Sequence, residues 1–135
     1  MALNTQLSDA SVNAAVNALL ARASGGTLKI YQGAQPANAN TAIGAQTLLA
    51  TIALGNPAFG NAAGGAANLN ATAAATAVTT GTAQFFRIFA SDSSVVLDGS
   101  IGTAGCNINM GSVNIQAGAQ VAITGYTYSI AEAGN

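Results

Sequence analysis

The side chains of this chain that ionise are few enough to take singly. They are Asp9, Arg22, Lys29, Arg87, Asp92, Asp98 and Glu132, one thiol at Cys106, and three phenols at Tyr31, Tyr126 and Tyr128. Histidine is absent. That removes the commonest general base near neutral pH and the commonest transition-metal ligand. One cysteine builds neither a zinc nor an iron–sulfur site. As a nucleophile Cys106 would need a base beside it, and no histidine exists to be that base. It reads as a buried, unreactive small hydrophobe. It also excludes an internal disulfide, which suits a reducing cytoplasm.

Asp92 and Asp98 flank one apolar stretch but lack the ligand spacing of a calcium loop. They read as a turn aspartate and a strand aspartate paired across a ladder. Gly99–Gly102 and the glycine-rich run near residue 64 lack the strand–loop–helix order and the Lys-Ser or Lys-Thr of a phosphate loop. Two tyrosines on one strand face, Tyr126 and Tyr128, are read as core or interface before sugar-stacking platforms. No catalytic, cofactor-binding or metal-ligating residue is assigned. The expectation is a protein that is not an enzyme and has no cofactor.

Charged residues make up 5% of the 135, with a formal net charge of −1. An ordinary globular domain carries about 25%. Depletion of charge marks the cores of interfaces, so this surface reads as one covered in its working state. Three basic residues do not neutralise a run of phosphates, which excludes nucleic acid as a partner. The same sparsity argues against an anionic membrane surface, and no stretch is long and apolar enough for a transmembrane helix. Met1–Gln6 shows neither a basic nor an apolar leader region, so no secretory signal is expected.

The elements that must position these groups follow from periodicity. Residues 9–23 place Val12, Val16, Leu19, Leu20 and Ala23 on one helical stripe. Ser8 or Asp9 serves as cap, Arg22 sits in the last turn, and Gly25-Gly26 stops the helix. Thereafter short β segments alternate with Gly, Asn and Ser. Thr27–Tyr31 is the first. Leu48–Leu54 is the second, with Leu48, Ile52 and Leu54 aligned. A weak strand falls near 66–71. Gln84–Ala90 and Val95–Ile101 form a hairpin about the turn at Ser91–Ser94. Its register sets Arg87 opposite Asp98, Ile88 opposite Leu97, Phe86 opposite Gly99, Phe89 opposite Val96 and Ala90 opposite Val95. Cys106–Met110 and Val113–Gln116 alternate apolar residues with amides. A last strand runs from Gln120 to about Ala131, with a bulge at Gly125 to hold Val121, Ile123, Tyr126, Tyr128 and Ile130 on the core face.

The sum is a mainly β fold, a jelly-roll or Greek-key-like sandwich with one N-terminal α-helix. It reads as a single domain, with residues 1–26 a helical segment and 27–135 the β-sandwich. Phe86 and Ile88 are expected in the core, and Phe85 or Phe89 against the helix or another subunit. Candidate interface residues are Phe85, Phe89, Tyr126 and Tyr128, with Arg87–Asp98 a structural pair. One lysine and two prolines leave strand edges little protection. The charge-free segment from Cys106 to Ala131 is therefore expected at a subunit contact.

Thr27–Tyr31 (TLKIY), Gln32–Pro36 (QGAQP), Gln84–Ala90 (QFFRIFA), Ser91-Asp92 and Val96–Gly102 (VLDGSIG) carry a resemblance. Across residues 27–130 the chain resembles small virion proteins of tailed bacteriophages, some of them similar to capsid cement (decoration) proteins with a jelly-roll-like fold. The resemblance implies assembly in the bacterial host cytoplasm and residence on the virion. It also implies partners among the major capsid protein or other virion proteins, with homo-oligomerisation expected. The leading expectation is a capsid cement protein. The alternatives are a tail or tail-tip structural protein, and a carbohydrate- or host-binding β module using Tyr31, Tyr126 or Tyr128.

Overall fold

A computed structural model describes residues 5–130. Helix α1 spans Asp9–Ala21. Ser8 caps it in extended conformation, its hydroxyl accepting from the Ser11 N–H, which satisfies one orphan donor of the first turn. Val12, Val16 and Leu20 recur every fourth residue and are fully buried. The helix stops at Ala21, two residues short of the expected end. Arg22, Ala23 and Ser24 switch to three-residue hydrogen bonds back to Leu19, Leu20 and Ala21, a tightening common at helix ends. Arg22 leaves the helix axis. Its guanidinium donates to the Ser94 hydroxyl at 2.9 Å and the Val95 carbonyl at 3.4 Å, tying the helix end to the hairpin turn.

Eleven strands follow, and five make the main sheet. β1 (Thr27–Gln32) pairs antiparallel with β2 (Thr47–Ala53) and with β6 (Phe85–Phe89), and β6 pairs antiparallel with β7 (Val95–Gly102). The order is β2-β1-β6-β7-β8, with β8 (Ile108–Asn109) joined parallel to the end of β7. Three two-stranded ladders lie outside this sheet. β3 (Ala66–Asn68) pairs β11 (Thr127–Ser129), β4 (Ala75–Thr76) pairs β10 (Gln120–Val121), and β5 (Gly81–Thr82) pairs β9 (Asn114–Ile115). The architecture is a β-sandwich with one helix. Leu28, Ile30, Ile52, Phe86 and Ile88 of the main sheet meet Ala67, Ala77, Ile115, Val121 and Tyr126 of the ladders in one apolar cluster. The helix joins the same cluster through Val16, Leu20 and Ala23.

Three register details differ from the periodicity reading. In β2, the β1 partner shifts from Ala50 to Leu48, so Leu49 is the extra residue of a bulge. Leu49, Ala50, Ile52 and Leu54 are therefore buried and Leu48 is not. In the hairpin, Arg87–Asp98, Ile88–Leu97 and Phe86–Gly99 stand opposite one another as expected, but Phe89 meets Val95 because Val96 is bulged out. A bulge beside a tight turn strengthens local twist. The expected last strand is not one strand. β10 and β11 pair with different partners, and residues 122–126 between them are irregular. Two partners on separate ladders accommodate the change of parity that a single bulged strand was expected to absorb. Ile130 is consequently exposed, and Ala131 lies outside the described residues.

Candidate interaction surface

The central strand β6 is buried on both faces, and its outer face carries Arg87, with Lys29 and Asp98 opposite it on the neighbouring strands. Arg87 and Asp98 form a two-pronged ion pair. Nε meets Oδ1 at 2.5 Å and Nη2 meets Oδ2 at 2.8 Å, with the side chains 2% and 5% exposed. The hydrogen bonds it donates to Asp98 raise the guanidinium pKa above its ordinary value. Beside it, Tyr31 stacks on Phe85 with ring centroids 5.1 Å apart and planes 13° apart, and burial pushes the Tyr31 phenol up. Lys29, directly across from Arg87, turns its ammonium over the Phe89 ring at 5.0 Å. That geometry gives the like charge a partner of its own.

This arrangement revises the candidate contact residues. Phe85 is fully enclosed and Tyr126 is 7% exposed, so neither offers a partner an aromatic face. Tyr126 is a core residue, edge-on to Phe59 at 6.1 Å and to Phe86 at 5.1 Å. Phe89 and Tyr128 remain half-buried. Phe85 does not face the helix. The helix packs into the cluster of Leu28, Phe86 and Ile88, on the side to which alternation sends Phe86 and not Phe85. Cys106 is half-exposed, against the expectation of burial. It lies in the tight loop between β7 and β8, which is too short to cover it.

The segment after Asp98 is different in kind. From Gly99 to Ile130 there is no charged residue, and this segment supplies β8, β9, β10 and β11. Each is two or three residues long and pairs on one side. Around the β8–β9 and β10–β11 connections lie two adjacent clefts, of about 410 Å³ and about 560 Å³, with Asn109 and Thr124 lining both; together they are the groove of this region. Its walls are amides and hydroxyls with Met110, Ile115 and Val121 between them. The amides were legible in the sequence as the polar members of two alternating segments. That the groove exists was not, because it needs β10 and β11 to diverge.

Among the described residues no three His, Cys, Asp or Glu side chains come together, and no helix is long and apolar enough to cross a membrane. The arrangement can pack, hydrogen-bond and exclude water. No protein family, curated protein or solved structure matches this chain.

Proposed function

We propose that this chain is a non-enzymatic structural protein of a bacteriophage virion, a capsid cement protein holding the head shell by protein–protein contacts. The observation that supports this most is the uncharged segment of residues 99–130, whose short strands each have one partner. Free soluble proteins blunt such edges with charge or proline. An edge without either is tolerable when another subunit covers it. A standard contact buries about 800 Å² on each partner, roughly a tenth of the 7214 Å² this chain exposes. Many such contacts on a shell act additively against internal pressure. The resemblance of the hairpin segment to phage virion proteins points the same way.

The test is sedimentation velocity of the purified chain, alone and with preassembled shells, in low and high salt. Oligomers or shell-bound protein are expected, with little change between salts, because few charges are available to be screened. A monomer at high concentration that binds neither capsid nor tail refutes the proposal. Imaging of labelled particles then separates a head position from a tail position.

A further inference from the structure

We propose that the groove shared by the β8–β9 and β10–β11 connections is a binding site for a neutral oligosaccharide. The inference rests on which hydrogen-bonding groups the fold has already used. A backbone N–H can only donate, so it fixes which end of an amide it meets. The Asn109 Oδ1 accepts from the Cys106 N–H at 3.0 Å, and the Asn107 Oδ1 accepts from the Ser100 N–H at 3.0 Å and its hydroxyl at 3.1 Å. Both oxygens are therefore committed, and each NH2 is the free group on the groove wall. Two donors are thus held in place before any ligand arrives.

The floor supplies a third group. Tyr126 lines the groove with its ring packed against Phe59 and Phe86, and its hydroxyl makes no protein hydrogen bond. That hydroxyl is not shut away from solvent, so a ligand hydroxyl can take the place of water there without breaking a protein hydrogen bond. At the other end the Gln120 amide meets the Thr76 hydroxyl at 2.9 Å and keeps its second polar atom for a ligand on the same wall. The groove thus offers two fixed donors, an amide and a phenol able to turn either way, with no charge among its lining residues.

That set selects its ligand. An anion finds no counter-charge and a cation finds no carboxylate. A ring of hydroxyls, each able to accept from one group and donate to another, satisfies the walls at several points. A peptide seated by strand addition uses backbone edges and does not depend on the Asn109 side chain. With no aromatic face presented, hydrogen bonds carry the site. The cleft volumes fall in the range of small-ligand sites, about 300–1,000 Å³.

The experiment is a two-dimensional 15N NMR titration of the full chain with neutral tri- and tetrasaccharides of glucose, mannose, galactose and N-acetylglucosamine. At least one is expected to shift the side-chain NH2 signals of Asn107 and Asn109 saturably. Asn109→Asp keeps the oxygen that accepts from Cys106 but replaces the free donor by an acceptor, and should weaken binding at least about tenfold. Tyr126→Phe keeps the ring contacts and removes the hydroxyl, giving a second variant should the first be unstable. No shift with any saccharide, shifts elsewhere only, saturable shifts with a neutral peptide alone, or unchanged binding by both variants would overturn the proposal. The titration reads the groove in the free chain, whereas the virion reading, which has another subunit cover the strand edges of this segment, is tested by assembly and survives or fails separately.

Discussion

Asp98→Asn isolates the energetics of the central strand. Asp98 is the carboxylate that both prongs of Arg87 reach, and the guanidinium is 2% exposed. The substitution keeps the shape and one acceptor oxygen but leaves a desolvated cation without its counter-charge. Breaking a buried pair this way costs about 3–5 kcal/mol, and we take about 3 because one hydrogen bond survives. Unfolding entropy near 60 °C is about 2.1 cal/mol/K per residue, or about 0.28 kcal/mol/K for 135 residues. The melting temperature should therefore fall by about 10 °C, as read by circular dichroism. Replacing both partners, Arg87→Met with Asp98→Leu, removes the uncompensated charge and should bring stability to within about 1 kcal/mol of the parent. A drop under about 3 °C for Asp98→Asn, or a double variant no better than the single, would show that the guanidinium reaches water and that the pair is not a buried one.

Gly99 stands opposite Phe86, and a Cβ there would lie 2.4 Å from two ring atoms. Gly99→Ala should displace that ring from Tyr126 and cost about 1–3 kcal/mol by overpacking, measured by urea denaturation; an unchanged midpoint would contradict the packing described. Ser93 holds a left-handed φ of 70°, so Ser93→Gly should gain about 0.5 kcal/mol from relieved strain less backbone entropy, and a loss of stability would argue for another conformation at the turn. Burial pushes the Tyr126 phenol from 10.0 up to about 12. Above pH 10 the unfolded chain ionises this group while the folded chain keeps it neutral, so stability is intact below pH 10 and falls as pH rises toward 12. Tyr126→Phe should flatten that fall in denaturation curves taken at stepped pH, and an equally steep fall in the variant would assign it elsewhere.

Local chemistry decided much of this protein. The every-fourth-residue spacing of Val12, Val16 and Leu20 is a property of the helix alone, and so is the Ser8 cap. The hairpin register followed from one turn and one pair of opposite charges, because pairing of Arg87 with Asp98 sets every pair up to the bulge. The absence of histidine removed the commonest general base near neutral pH before any fold was known. Tertiary structure decided what depends on partners distant in the chain. The bulge at Leu49 arises where β2 must follow β1. Phe85 was a candidate contact until Tyr31, 54 positions away in sequence, stacked on it. Tyr126 and Tyr128 share parity, yet one is core and the other half-exposed, because Tyr128 lies in β11 opposite Ala67 while Tyr126, just before that strand, is enclosed by Phe59 and Phe86. Alternation reports which side chains share a face. Which of those faces is covered, and which amides are left with a free hydrogen-bonding end, depends on contacts between segments far apart, and periodicity carries no record of them.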